Sequence, residues 1–304
     1  MTARVSSATS HLTWDPAIPA VLEVEDGALV EFEMHDASGQ QITAASRTPD
    51  LATLDFGLVD AVHGPVSVAG AEPGDALRID LLEFSPADWG WTACLPGFGL
   101  LTEDFPEPAL RISRIADGYA ELLPGLRVPV DPFCGEIGVA PLTGPLSTIP
   151  PGLHGGNMDT RHLTAGASVL LPVMHAGALL SMGDGHAAQG DGEVCGTAVE
   201  TPMRALVRVS VVKQAGIVAP EFMLPGRTAA PGPAYCTNGV GPDLLEAAKD
   251  AVRRMIDWMG RSAGLSPMDA YLLCSVAVDL RISEIVDLPN VLVTAHCPMA
   301  VVGL

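Results

Sequence analysis

Residues 151–200 carry the feature that most limits how this chain can fold: acidic and imidazole side chains placed between glycines and short apolar runs. Four of the eight histidines lie there, with several aspartates and glutamates. Glycine tolerates positive φ and lets backbones approach closely, so such a stretch can turn short carboxylates and an imidazole toward one point. The stretch therefore predicts a site that holds a metal ion or a polarised water molecule.

Two motifs concentrate these side chains: GGNMD at 155–159 and GDGHAAQGDGE at 183–193. Together they closely resemble the acetamidase/formamidase family, in which GGNMD precedes a Pro-Val strand and then GD-HAAQGDGE. The resemblance extends upstream to HGPVSVAG at 63–70 and to GEIGVAP at 135–141. It implies a jelly-roll-like β-sandwich joined to an α+β portion, and a hydrolase of small amides.

A hydrolytic metal centre built from imidazole and carboxylate ligands needs several converging donors and an open position for water. Asp159 and His186 are the leading metal ligands, with Asp184 and His154 as further candidates. Glu193 is the candidate general base, and Asp159 and His186 are assigned to the catalytic group with it. Each residue alone also has a structural interpretation, because Asp-Gly pairs are common in turns and a lone histidine can bond to the backbone.

Three other residues are candidates for binding the substrate. The neutral amides of Asn157 and Gln189 could fix an amide substrate or stabilise a developing oxyanion. Glu136 could be a further acid or ligand, although a structural carboxylate is the simpler interpretation. His162 and His175 lie on or beside apolar runs, where a core role is expected.

Two alternatives remain open at this stage. The first is a non-catalytic β-sandwich that binds calcium or a carbohydrate through the same loops, since calcium prefers oxygen ligands in flexible loops. The second is a thiol amidase in which Cys195 is the nucleophile and Glu193 its base. The imidazole of His186 among the carboxylates favours zinc over calcium.

Composition sets the cellular and partner expectations. The net charge of −20 argues against nucleic acid or an anionic membrane as a partner. The N-terminus has no apolar signal region, and the apolar run at 169–182 is short and interrupted, so we expect a cytoplasmic protein without a membrane span. Six scattered cysteines are expected to be reduced thiols.

The pattern of apolar residues predicts mainly β-structure followed by two helices. Hairpins are expected at 22–34 and 63–84, a long loop over an aromatic cluster at 85–108, and strands at 204–213 and 290–296. The segment 215–241 is expected to be loop-like with short strands. Helices are expected at 242–259 and from Ser266 to about Val278. We interpret 1–214 as a mainly β body that contains the site, and 215–304 as an α+β portion that packs on it as one unit.

These observations and the resemblance together predict a metal-dependent amidohydrolase. Formamide or acetamide would be cleaved to ammonia and a carboxylic acid, with zinc as the first choice of metal and calcium as the second. The apolar stripe of the first helix, together with the habit of the family, suggests a homo-oligomer, a dimer or trimer. The sequence leaves open which amide is the substrate.

Overall fold

The computed structural model describes residues 2–225 and 232–304 of the 304-residue chain, and β-strands dominate it. The strands, in chain order, are β1 (Ala3–Val5), β2 (Ser10–His11), β3 (Thr13–Trp14), β4 (Leu22–Val24), β5 (Leu29–Met34), β6 (Val62–Val68), β7 (Ala76–Pro86), β8 (Trp89–Cys94), β9 (Ala109–Ala116), β10 (Tyr119–Leu123), β11 (Leu126–Pro129), β12 (Phe133–Gly138), β13 (Leu146–Ser147), β14 (Gly155–Asn157), β15 (Ser168–Pro172), β16 (Leu180–His186), β17 (Met203–Val212), β18 (Glu221–Leu224), β19 (Ala234–Gly241), β20 (Asp279–Glu284) and β21 (Val291–Pro298). The helices are α1 (Leu244–Ala263) and α2 (Pro267–Ala277), with short 3-10 turns at Thr48–Thr53, Phe56–Leu58 and Met299–Val302. The expected mainly β protein with two helices near its C-terminus is confirmed.

The largest sheet has nine strands in the order β1-β5-β17-β7-β15-β18-β19-β21-β20. Its central pair is β17 against β7, which runs antiparallel from Met203 opposite Pro86 to Val212 opposite Ala76. β17 alternates buried apolar positions with the exposed Arg204 and Arg208, as the sequence pattern predicted. Because this sheet takes strands from both 1–214 and 215–304, backbone hydrogen bonds join the two ranges directly.

A second sheet carries the motifs that the sequence singled out. It has the order β14-β12-β16-β6-β2, and β4 also pairs with β6. GGN of the first motif forms β14, and the second motif begins inside β16; both strands flank β12. The two motifs therefore lie on either side of one strand. The described residues also form a four-stranded sheet, β11-β10-β9-β8, and a two-stranded sheet, β13-β3.

The main hydrophobic core lies between the nine-stranded and six-stranded sheets. Phe32 and Leu81 of the larger sheet belong to the same buried cluster as Ile137 and Leu180 of the smaller one, and all four are fully buried. Two sheets that share one core in this way form a β-sandwich. The site strands β12 and β16 are thus held on a rigid layer.

The two helices form a second, smaller core against β19 and β21. α1 buries Ala251, Met255 and Met259, and the ring of Trp258 stacks on Tyr235 of β19 with centroids 4.1 Å apart. The predicted helix at 242–259 is confirmed and continues to Ala263, where Gly264 ends it in the left-handed conformation.

The second predicted helix is also confirmed. Ser266 caps α2 by accepting a hydrogen bond from the backbone N–H of Asp269. Neither helix, nor any other in 2–225 and 232–304, is both long and apolar enough to cross a membrane.

Both predicted hairpins are wrong. In 22–34, β4 pairs in parallel with β6, while β5 joins β1 and β17 in the other sheet. In 63–84, β6 and β7 likewise belong to different sheets. The turns exist, but each carries the chain from one layer of the sandwich to the other. Local alternation cannot distinguish a hairpin from such a crossing, because each strand looks the same in both cases.

The predicted loop at 85–108 is partly wrong, because it contains β8, which pairs along its length with β9. Trp91 on this strand is buried, and its indole N–H donates to Asp36 at 2.9 Å. The predicted loop-like segment 215–241 includes residues 226–231, which lie outside the described residues; within the rest of it, β19 is a full eight-residue strand.

Candidate active site

His186, the last residue of β16, is the centre of a buried group of carboxylates. Its Nε2 lies 2.8 Å from Asp184 Oδ2, 3.0 Å from Glu200 Oε2 and 3.9 Å from Glu193 Oε1. Its Nδ1 lies 3.7 Å from Asp159 Oδ1. Two sets of donor atoms are close enough to share a metal ion: Asp184, His186 and Glu200, and Asp159, His186 and Glu193.

The backbone that presents these side chains is unusual. Asp159, Asp184 and Glu193 have φ of 39°, 53° and 46°, a region that side chains other than glycine rarely adopt. Such conformations cost free energy and are maintained where the surrounding structure requires them, which is often at functional sites. All three residues direct a carboxylate toward the same imidazole.

Gly135 on β12 makes this convergence possible. A Cβ at position 135 would overlap Asp184 Oδ2 and Asp159 Oδ1 and would lie 3.0 Å from His186 Cε1. The carboxylates of Asp159 and Asp184, which come from two separate motifs, therefore meet over Gly135, where a side chain would displace them. Its backbone carbonyl also accepts the N–H of Met158 at 2.9 Å, which fixes the end of the GGNMD turn.

Gln189 orients His186. The side-chain Oε1 of Gln189 lies 2.8 Å from His186 Nδ1, and its Nε2 donates to the backbone carbonyl of Asp159 at 2.7 Å. Because the amide nitrogen is directed to Asp159, the oxygen faces the ring and Nδ1 must donate a proton to it. Nε2 then carries either a proton or a metal ion, and it faces Asp184 and Glu200.

Several buried acceptor atoms around the ring lack a donor. Among the described residues, both oxygens of Asp159, Oδ1 of Asp184 and both oxygens of Glu136 are buried without a hydrogen-bond partner. Leaving buried charges uncompensated is costly, so this surplus of acceptors calls for a cation or for bound protons. The donor set of one imidazole and several carboxylates fits a divalent metal ion.

The pKa values reflect the same crowding. Burial, followed by repulsion from Asp287 and Asp184, raises the pKa of Asp159 well above its usual range. Burial and the neighbouring carboxylates also raise the pKa of Glu193, and burial is the main cause that raises the pKa of Glu200 to about 8. Burial acts on Asp184 in the same direction, but the contacts with His186 outweigh it and lower its pKa.

A cavity of about 100 Å³ is lined by residues of this cluster. Asp184, His186, Glu193 and Glu200 supply polar groups to its lining. The apolar part of the lining includes Leu54, Phe56, Val59, Trp91, Leu95, Phe98 and Ile149. A concave, mostly apolar pocket with a few convergent polar groups is the usual form of a small-molecule site.

Comparison with known proteins identifies the family of the chain that carries this site. The sequence profile of the Acetamidase/Formamidase family matches residues 2–146 and 143–303, which is nearly the whole chain. The chain belongs to the acetamidase/formamidase family. This membership confirms the resemblance that the two motifs carried and the predicted class, an amidohydrolase, and it weighs against a non-catalytic sandwich.

Individual relatives match over most of their length. A formamidase from Methylophilus methylotrophus is 28% identical, with 95% of this chain and 88% of the relative aligned. The crystal structure of an acetamidase from Bacillus halodurans superimposes with a TM-score of 0.91 at 31% identity, covering 99% of this chain and 100% of the other. A predicted acetamidase/formamidase from Thermoanaerobacter tengcongensis gives a TM-score of 0.92 at 30% identity, covering 99% and 97%.

In this member of the family, the structure brings most of the predicted site residues together. Asp159, Asp184, His186 and Glu193 converge as expected. Asn157 also reaches the cavity, and its amide donates to Asp287 Oδ2 at 2.8 Å.

Three of the predicted residues lie differently from the expectation. His154 is buried but lies outside both metal-capable groups; its ring packs edge-on against Trp14 with centroids 5.3 Å apart, and burial lowers its pKa to about 4. The side-chain amide of Gln189 bonds to His186 and to the backbone carbonyl of Asp159, and Gln189 does not line the cavity beside His186. Glu136 is fully buried on β12 between β14 and β16 and does not line the cavity; burial, followed by repulsion from Asp60 and Asp184, raises its pKa well above the usual range.

Sequence reasoning missed three carboxylates of the site. Glu200 lies beside His186 through a β-bridge, and Asp60 and Asp287 line the same cavity. Glu200 ends the segment that the sequence singled out, so only its role was overlooked. Asp60 and Asp287 are distant in sequence and have no motif around them. Asp60 shares the left-handed conformation of the other site acids, with φ of 53°.

The thiol alternative finds little support in the surroundings of Cys195. Its Sγ lies 3.4 Å from the Thr197 carbonyl and 3.7 Å from that of Ala93. Cys195 lines a second cavity, which Glu193 also lines, but His186 lines only the first. A nucleophilic thiol needs a base within hydrogen-bond reach, and the hydrogen-bond contacts of Cys195 are with two backbone oxygens and the Thr197 hydroxyl.

Proposed function

We propose that this protein is a metal-dependent hydrolase of linear carboxamides that releases ammonia and the carboxylic acid. The observation that supports this most is the position of His186 Nε2, 2.8 and 3.0 Å from the oxygens of Asp184 and Glu200, at the wall of an accessible cavity. Three acceptor atoms do not approach so closely unless a cation or a proton lies among them. Family membership gives the reaction class.

The residues that would hold the metal are Asp184, His186 and Glu200, with Asp159 and Glu193 beside them. The imidazole favours zinc, whereas the number of carboxylate oxygens would also suit calcium. When bound, a divalent ion in such a site lowers the pKa of water and polarises a carbonyl group. Elemental analysis of the purified protein identifies the metal.

Gln189 and Glu193 have different roles in the proposed hydrolysis. Gln189 holds the His186 ring in one orientation through Nδ1, as described above. Glu193 lines the cavity, and its raised pKa suits a group that takes a proton from the attacking water and returns it to the leaving nitrogen. Water adds to the amide carbon, the carbon–nitrogen bond breaks, and ammonia leaves with the transferred proton.

Replacement of the base is the direct test of this assignment. We expect Glu193→Gln to abolish most ammonia release from formamide and acetamide while the protein still binds its metal, because one carboxylate donor is lost but the Asp184, His186 and Glu200 group remains. Asp191→Asn is a matched control in the same loop, where the carboxylate instead pairs with Arg281 at 3.2 Å. Equal turnover in Glu193→Gln and wild type would remove Glu193 from the mechanism.

We also propose a homo-oligomer, a dimer or trimer, but on different grounds from those of the sequence. Met255, Ile256 and Met259 of the α1 stripe pack within the chain against β19 and β21, whereas Leu244 and Leu245 of the stripe are exposed. The outer face of α2 instead exposes Met268, Tyr271, Leu272 and Val276, by 58% to 81%. Large exposed apolar patches commonly mark protein interfaces. Light scattering on the purified protein measures the number of chains, and a monomer would contradict the proposal.

A further inference from the structure

The side chains that line the active-site cavity offer a substrate many hydrogen-bond acceptors and few donors. Among the described residues no lysine or arginine lines it, whereas five carboxylates do: those of Asp60, Asp184, Glu193, Glu200 and Asp287. Ser38 and Trp91 donate their protons to Asp36, which does not line the cavity. The Thr197 hydroxyl donates to a backbone carbonyl. A ligand that brings its own N–H groups therefore suits this lining better than a ligand that brings only acceptors.

Asp287 is the carboxylate of this lining that hydrogen bonds fix at both its side chain and its backbone. Its Oδ2 accepts the side-chain amide of Asn157 at 2.8 Å, and its backbone N–H donates to Glu284 Oε1 at 2.6 Å. The residue is 3% exposed. An ionised carboxylate has about four lone-pair sites, and Asn157 occupies one of them. Asp287 therefore keeps acceptor capacity for a ligand, and its fixed side chain can select that ligand by geometry.

Asp287 lies beside the candidate base, whereas Asp60 lies on the metal-capable side. After burial, repulsion from Glu193 is the largest cause that raises the pKa of Asp287. The corresponding neighbours of Asp60 are Asp184 and Glu200, whose oxygens are closest to His186 Nε2. Because Glu193 must reach the leaving nitrogen to return its proton, Asp287 is the carboxylate next to the position of that nitrogen.

We infer that Asp287 recognises the amide nitrogen of the substrate, because its carboxylate accepts an N–H of the carboxamide. The inference rests on the proposed amide hydrolysis. The hydrogen bond selects an NH2 group over the alkoxy oxygen of an ester, which has no proton to donate. As Glu193 passes its proton to the nitrogen and the carbon–nitrogen bond breaks, the nitrogen gains an N–H and positive charge. The contact with Asp287 is therefore stronger in the transition state than in the bound substrate.

The experiment compares acetamide with methyl acetate, which share the acetyl group, and measures kcat/KM for both as acetate formed by the metal-loaded enzyme. In Asp287→Asn, the Asn157 amide still faces an oxygen, so the new NH2 group faces the cavity and replaces an acceptor with a donor. We expect the ratio of kcat/KM for acetamide to that for methyl acetate to fall roughly 10- to 100-fold, the range for a hydrogen bond to a charged group. Metal content should stay at the wild-type level, because Asp287 belongs to neither metal-capable group.

Asp60→Asn is the matched control, because it removes a carboxylate from the same cavity on the metal-capable side. It should change kcat/KM for both substrates by the same factor. Asp287→Ala removes the acceptor without adding a donor and should lower the ratio less than Asp287→Asn does. Since the ratio compares two substrates on one preparation, partial unfolding of a variant does not alter it. Equal changes for acetamide and methyl acetate in both Asp287 variants would overturn the inference and leave the proposed function standing.

If the wild-type enzyme cleaves no amide, the proposed function fails and the inference is judged by binding; binding also decides if only methyl acetate resists cleavage. Metal-loaded wild type and Asp287→Asn are then titrated calorimetrically with acetamide and with methyl acetate. Tighter binding of acetamide that is lost in Asp287→Asn supports the role of Asp287. An affinity for acetamide no greater than that for methyl acetate, or a preference that survives the substitution, excludes it.

Discussion

Substitution of Gln189 distinguishes two roles for this residue: orienting His186 and binding the substrate. If its amide orients His186 and Asp159, as the distances of 2.8 and 2.7 Å indicate, Gln189→Ala removes both hydrogen bonds and frees the ring and the Asp159 loop. Loss of such a partner behind a metal ligand typically weakens metal binding by about 10- to 100-fold. That range corresponds to about 1.4 to 2.7 kcal/mol of binding free energy.

The assay is a competitive titration of chelated protein with zinc and a chromophoric chelator. We expect Gln189→Ala to bind zinc about 10- to 100-fold more weakly than wild type. With the site saturated by zinc, KM for the amide should change little. Gln214→Ala is a suitable control, because this exposed glutamine lies far along the chain and contacts Asp75 through its backbone N–H. Unchanged zinc affinity with a raised KM would instead show that Gln189 binds substrate, as the sequence suggested.

Two further predictions follow from the geometry of buried residues. Gly135→Ala should fold but bind little metal and lose most amidase activity, because the new Cβ would displace the Asp184 and Asp159 carboxylates. Metal content and ammonia release measure this effect. Full metal occupancy in the variant would contradict the prediction. His154 is neutral in the folded protein because burial lowers its pKa to about 4, so below its unfolded pKa of about 6.5 the unfolded chain binds the extra proton and acid destabilises the fold. Relative to His154→Leu, the wild-type protein should therefore lose about 3 kcal/mol of unfolding free energy between pH 6.5 and pH 4. Denaturant unfolding of both proteins across this pH range measures the loss. Parallel pH profiles of the two proteins would refute the lowered pKa.

The parts of the fold that sequence alone predicted are those set by local chemistry. The apolar spacing of α1 and the serine cap of α2 each lie within one element, so a short window contains the signal, whereas α1 runs past Gly260 to its cap at Gly264. The alternation in β17 is of the same kind. The two hairpins failed because the partner of a strand depends on residues far away, such as β17 for β5.

The residues of the site also fall into those that sequence motifs reveal and those that only the tertiary fold brings together. Asp159, Asp184, His186 and Glu193 lie in two glycine-rich motifs whose chemistry is visible in the sequence. Asp60 and Asp287 reach the cavity only through the tertiary fold. His154 shows the opposite error: its place before GGNMD resembled that of a ligand, but its ring packs against Trp14 from the N-terminal segment.

The dependence of turnover on metal content tests the central claim most directly. Protein stripped by prolonged chelation is checked by elemental analysis and then titrated with zinc, while ammonia release from an amide substrate is followed at each step. We predict no turnover in the stripped protein and a rise to a plateau as the His186 site fills. Undiminished ammonia release from protein shown to be free of metal would contradict the account.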